Sequence, residues 1–272
     1  MKIILSRKGF DSSNGGIPSP IMPDGTLLSM PIPAKEKVSY TDIAWNGQKY
    51  SDILRQLCPT RKYDKYNGKC HLDPDIRDNR IKHVDGWQPV FGQCGAAQGQ
   101  LRNAEIEKDD IFLFFGWFRK VEETAEGYRF KKRNSEDFYS GNDLQVIYGY
   151  MQVGDIITDP KLIKEYSWHP HSSKIHLQDS NNALYLPSQK LSINPLLKGY
   201  GTLDFRKDRV LTMEGMGRAT WNEYSFLMPK YVYGDKKNSA KEKGLYYAGI
   251  WQELIIINEP TGLKDWINQI LS

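Results

Sequence analysis

Five short segments carry the residue types that do chemistry. The first runs from Ser6 to Ser19. An apolar strand, Ile3 to Leu5, leads into Arg7, Lys8, Asp11, Ser13, Gly15 and Gly16. A strand end feeding a loop of glycines and donors is a common way to build an anion or nucleotide site, because backbone N–H groups approach a phosphate closely there. The one carboxylate, Asp11, sits beside two cations that keep it ionised. It could steady a cationic transition state, orient a water, or cap the next turn. Pro18, Pro20, Pro23 and Pro31 stiffen the chain that follows.

The second segment is His71-Leu-Asp73-Pro-Asp75. In an extended chain, alternation sends His71, Asp73 and Asp75 to one side. Two carboxylates and an imidazole suit acid–base work or a hard cation such as Mg²⁺, and Asp-Pro-Asp also starts ordinary turns. The third, Phe91 to Leu101, sets Gln93, Gln98 and Gln100 among small residues. Amide side chains both donate and accept, so they can read a base edge or a sugar. The spacing is not the dinucleotide fingerprint. Cys94 reads as a small packed cysteine.

The fourth is His169-Pro-His171 with His176 beyond. No Cys or Glu-x-x-His pattern completes a zinc set, so an imidazole contacting a substrate oxygen is the favoured reading. The fifth is Leu211 to Trp221, where Gly215 and Gly217 precede Arg218 and Trp221. A glycine turn presenting Arg and an aromatic suits phosphate clamping and base stacking, as does Trp117 in the apolar run before it.

The elements that must hold these segments follow from periodicity. Strands are expected at 2–6, 26–32, 110–119, 127–132, 144–153, 182–187 and 244–257, and helices at 51–57, 95–102, 159–166 and 261–271. Ser51, Asp159 and Thr261 are the expected helix caps. The long central pair suggests a hairpin rather than a doubly wound parallel sheet. The expected fold is α+β: one compact domain over 1–272, with a largely antiparallel or mixed β-sheet core and flanking helices.

Composition narrows the partners. The 272-residue chain has a formal net charge of +4 and 12% aromatic residues, which is weakly basic rather than histone-like. Three basic knots (Arg61, Lys62, Lys65 and Lys69; Lys131, Lys132 and Arg133; Lys236, Lys237, Lys241 and Lys243) still make a polyanion partner reasonable. Three cysteines without a CxxC pair argue against a disulfide framework. No signal peptide or membrane span is evident, so the expected location is the cytoplasm.

These segments together resemble the nucleotide modification associated domain family, third type, of bacteria and their phages. The likeness rests on Ser6-Arg-Lys-Gly-Phe-Asp11, Gly16-Ile-Pro-Ser-Pro20, Leu28-Ser-Met-Pro-Ile-Pro33, His71-Leu-Asp-Pro-Asp75, Phe91-Gly-Gln-Cys-Gly-Ala-Ala-Gln98, Phe112 to Phe118, Tyr148 to Val153, His169-Pro-His171, and Arg218 with Trp221. The resemblance implies an enzyme working on hypermodified DNA bases. The leading expectation is a DNA glycosylase that excises a bulky modified base, for example a glucosylated hydroxymethyl-cytosine, from phage DNA in antiphage defence. Asp11 or Asp75, with Asp73 beside it, would serve as the carboxylate. Gln93, Gln98, His71 and His169 would hold the base or its sugar. Arg7, Lys8, Arg218 and the Ser13, Gly15, Gly16 loop would grip phosphates, and Trp221 or Trp117 would stack. No cofactor or metal is expected on this reading. The alternatives are a transferase that installs part of such a base, with Mg²⁺ on His71, Asp73 and Asp75, and a non-catalytic reader of modified DNA.

Overall fold

The computed structural model describes residues 1–134, 136–234, 240–241, 244–247 and 252–272. The third basic knot and the middle of the 244–257 strand lie largely outside the described residues. The architecture is α+β, built on a mixed nine-stranded sheet. Its spine is β1 (Ile3–Arg7), β2 (Ser19–Ile21), β3 (Ile32–Pro33), β4 (Cys70–His71), β5 (Phe91–Gln93), β6 (Ile111–Thr124), β7 (Gly127–Phe130), β8 (Leu144–Ile157), β9 (Ala183–Pro187), β10 (Tyr200–Thr202) and β11 (Glu253–Ile256), of which β3 and β4 form a separate pair.

The main path runs β11-β1-β6-β8-β9-β5, with β2 and β7 also on β6 and β10 on β8. β1 and β2 run parallel to β6; the other pairings in this sheet are antiparallel. Both long central strands are 14 residues of mostly apolar and aromatic side chains, so they are buried along most of their length.

Alternation along β1 and β6 feeds two cores. Ile3, Leu5, Ile111, Leu113 and Phe115 pack on one face with α3 (Leu263–Leu271), whose Leu263, Ile267, Ile270 and Leu271 form its buried stripe. Ile4, Phe112, Phe114 and Phe118 pack on the other with Phe91 and Tyr185 and with Leu101 of α2 (Gly95–Asn103). A third core joins Phe10, Met30 and Tyr40 to α1 (Tyr50–Leu57). Each large side chain so buried contributes roughly 1.5–3 kcal/mol, so three such cores can hold short, irregular loops in place.

Some expectations shift. Residues 26–31 are not a strand; this stretch is buried and makes isolated bridges, such as Thr26 with Asp204, and only Ile32 of the expected strand belongs to one, β3. The short strands β2, β5 and β10 have too few residues to show a period. Asp159 does cap its helix, accepting from the Lys161 N–H. Ser51 and Thr261 do not cap: the N-cap positions are Lys49 and Gly262, and Ser51 lies inside α1.

Candidate functional site

The end of β1 builds one wall of a cavity of about 380 Å³. In β1, Ser6 stands opposite Glu253 of β11. The next residues continue along β6, where the Lys8 N–H donates to Phe115 O. Glu253 is fully buried, and its Oε1 accepts from Gln93 Nε2 at 2.6 Å and Ser6 Oγ at 3.0 Å, with Lys8 Nζ at 3.5 Å. Lys8 also lies 4.5 Å over the Phe91 ring. The result is a fixed floor in which Lys8 and Gln93 face the cavity and Glu253 anchors them from behind.

Asp73 follows β4 and lines the same cavity. Its Oδ1 accepts from the Gly92 N–H at 2.7 Å and lies 3.2 Å from His169 Nε2. The His169 Nδ1 accepts from the His171 N–H, which leaves the ring proton on Nε2, pointing at Asp73. Asp73 Oδ2 takes no hydrogen bond from any described residue. Burial alone would raise this carboxyl; the hydrogen bond donated by His169, with the Lys8 cation beyond it, outweighs it and holds it well below the usual carboxylate range. Asp73 is therefore an ionised carboxylate fixed on one oxygen.

Three imidazoles form the adjoining wall. His71, His171 and His176 each offer a ring nitrogen within 4.8 Å of the other two. His171 and His176 are stacked with centroids 4.4 Å apart. Asn182 Nδ2 donates to His171 O, which fixes the amide and makes its Oδ1 the acceptor from His171 Nδ1 at 2.7 Å. The bare nitrogen of His171 is therefore Nε2. Glu36 Oε1 lies 3.5 Å from His71 Nδ1 and 3.6 Å from His176 Nε2. Burial raises Glu36, but hydrogen bonds from His176 and His71 hold its carboxyl at about 2. Donating to Cys94 and Glu36 lifts His176 to about 9, whereas burial pushes His171 well below the usual histidine range. Gly92 is needed here because a Cβ would collide with the His171 ring.

A second hollow, about 640 Å³, adjoins the first and shares Arg7, Asp11, Asn14 and Gln252 with it. Trp117 and Arg218 lie in it, the guanidinium 3.8 Å over the indole and donating to Ser12 Oγ.

The sequence-derived candidates thus separate. Arg7, Lys8, Asp11, His71, Asp73 and Gln93 line the first cavity, and Trp117, Arg218 and Ser13 the second. His169 is buried behind Asp73 as its positioning partner. Asp11 spends Oδ1 on the N–H groups of Ser13 and Asn14, an Asx turn in which Gly15, at φ +86°, packs on Phe10 and Gly16 follows at φ +74°. Its capping role is thus observed. Asp75 is not brought to either hollow: its Oδ2 accepts from Trp87 Nε1 and its backbone pairs with Val90, because the chain turns inward after Pro74. Gln98 is buried and accepts from the Tyr185 hydroxyl. Trp221 has no exposed surface and stacks on Tyr247, so it packs the core and offers no face to a base. Glu36, Asn182 and Glu253 escape the sequence reading, and Cys94, read there as a packed cysteine, lines the cavity. Only Glu253 carried a signal, a carboxylate at the head of the apolar run Leu254 to Ile257.

No helix among the described residues is long and apolar enough to cross a membrane. A family model described as nucleotide modification associated domain 3 matches residues 2–256. No curated protein and no solved structure matches.

Proposed function

The chain belongs to the nucleotide modification associated domain 3 family, and from that premise we propose that it is a DNA glycosylase acting on a bulky modified base. The observation that carries this reading is Asp73, an ionised carboxylate with one oxygen fixed and the other without a hydrogen bond from any described residue, on the wall of a cavity of about 380 Å³. That volume lies within the roughly 300–1,000 Å³ of small-molecule pockets, which suits an extruded nucleotide with a substituent.

In this reading the target nucleotide leaves the stack and enters beside Asp73. The C1′–N bond breaks with its electron pair departing on the base. The carboxylate steadies the oxocarbenium-like sugar and then accepts a proton from the water that adds to C1′. Gln93, already fixed by Glu253, presents its amide to the base or its substituent. Arg7 and the Arg218–Trp117 pair in the adjoining hollow meet the flanking phosphates and a neighbouring base.

The test is incubation with phage DNAs carrying plain, hydroxymethylated and glucosylated cytosine. The expected products are free modified base and sites that break only in alkali, with no co-substrate added. Product that requires a nucleotide or sugar-nucleotide donor would establish the transferase instead. Saturable, salt-sensitive binding without product would establish a reader.

A further inference from the structure

The three-histidine wall has a chemistry that base excision does not use. His71 comes from β4, His171 from the 3₁₀ turn Pro170–Ser172 and His176 from the short helix Lys174–Leu177. Three elements therefore bring imidazoles to one place, with ring nitrogens within 4.8 Å of one another. Glu36 answers two of these rings and the buried third, His171, packs against them, an arrangement that one shared cation would complete.

We infer that His71, His171 and His176, with Glu36 as a fourth donor, bind one divalent transition-metal ion of the zinc type. Ligands about 2.0–2.1 Å from a tetrahedral zinc lie roughly 3.3–3.4 Å apart. Glu36 Oε1 already stands at 3.5 and 3.6 Å from nitrogens of His71 and His176. His171 is prepared as metal-bound imidazoles usually are: its Nδ1 proton is taken by an amide oxygen, and Nε2 is left bare. Asn182 is thereby a positioning residue. Three imidazoles and one carboxylate select zinc and its neighbours over Mg²⁺ or Ca²⁺, which prefer all-oxygen sets. The wall borders the cavity. The ion would add positive charge beside Arg7 and Lys8 and favour an anionic substrate. This site replaces the expectation of no metal; it stands on three ring nitrogens within 4.8 Å of one another, needs the His171–His176 stack to open so that both lone pairs meet the ion, and does not depend on base excision.

The test uses the full chain after dialysis against a chelator. Zn²⁺ is titrated in competition with a chromophoric chelator, and Co²⁺ in place of Zn²⁺ reports coordination through its visible absorption. One ion per chain is expected, with a tetrahedral Co²⁺ spectrum. His171→Ala and His176→Gln should each weaken Zn²⁺ binding at least 100-fold, and Asn182→Ala by roughly 10–100-fold. His83→Ala should leave it unchanged, since His83 stacks on Trp87 outside the cluster. Circular dichroism confirms that each variant is folded; if His171→Ala fails to fold, His176→Gln and the Co²⁺ spectrum decide. Less than a fifth of an equivalent bound, or equal affinity in His176→Gln and the parent, would show an ion-pair network holding protons only. Because the readout is metal alone, its failure leaves the excision assay standing, and the reverse holds too.

Discussion

Replacing Asp73 by Asn tests the proposed chemistry most directly. The substitution is isosteric. The amide keeps one carbonyl oxygen, which can still accept from the Gly92 N–H and from His169. What disappears is the negative charge and an acceptor oxygen that no described residue uses. Removing a preorganised electrostatic stabiliser costs about 3–4 kcal/mol of transition-state energy, or roughly 10²–10³ in rate. The assay is single-turnover release of modified base under saturating enzyme, which isolates the bond-breaking step from binding. DNA affinity should change little, since Asp73 meets the sugar only as charge develops. Asp73 is held below the ordinary carboxylate range, so its charge stabilises the fold above about pH 4 and that contribution fades as pH falls further. The stability gap between parent and Asp73→Asn should therefore be widest near neutrality and narrow in acid. Asp75→Asn, at a buried site away from both hollows, should lower stability and leave the excision rate within about threefold. An Asp73→Asn protein that folds and excises within threefold of the parent would refute the assignment of Asp73.

Two further outcomes follow from the same geometry. In metal-free protein, Glu36 sits at about 2 and His176 at about 9. The depressed carboxyl stabilises above its ordinary value near 4.5 and loses that as pH falls toward 2; the raised imidazole stabilises fully below its ordinary value near 6.5 and loses that as pH rises toward 9. The stability difference between the parent and His176→Asn, from urea unfolding, should therefore peak between about pH 4.5 and 6.5 and shrink toward pH 9; a flat difference would refute the ion-pair account. Arg218→Ala should weaken binding to all DNA sequences alike and reduce the salt slope by about one, measured by fluorescence anisotropy at several salt concentrations; an unchanged slope would remove Arg218 from the phosphate contacts.

Much of the frame was legible because it obeys period rules. The runs 110–119 and 144–153 carry long apolar and aromatic sequences that fit only buried central strands, and both are strands, extended to Thr124 and Ile157. The helix from Gly95 and the terminal helix showed in the same way. The site was legible only in part. Alternation placed His71, Asp73 and Asp75 on one side, but the segment turns after Asp73, and Asp75 meets Trp87 instead. Trp221 carries the same residue type as an exposed stacking platform, and only the packing of Tyr247 and Phe115 around it shows its role. Glu36, flanked by Lys35 and Lys37, reads as an ordinary surface charge. Its meeting with His71 and His176 depends on contacts 35 and 140 residues away in sequence, which no local pattern encodes.

Glu253 explains why so small a set of residues can be held in order. A fully buried carboxylate is costly unless paired, and a buried ion pair adds little net stability over an apolar replacement. Its use here is positional. Glu253 opposes Ser6 only in one register of β1 against β11, and a slip by one residue would send it to the opposite face. That register is fixed in turn by Ile3, Leu5, Leu254 and Ile256 in one core and Ile4 and Ile255 in the other. Once in register, Glu253 draws Lys8 and Gln93 to its Oε1. Gln93 belongs to β5, whose Gly92 N–H holds Asp73 and whose missing Cβ admits His171. The hydrophobic alternation of a five-residue strand at the start of the chain thereby sets, through one buried carboxylate, where the cavity's charged groups stand.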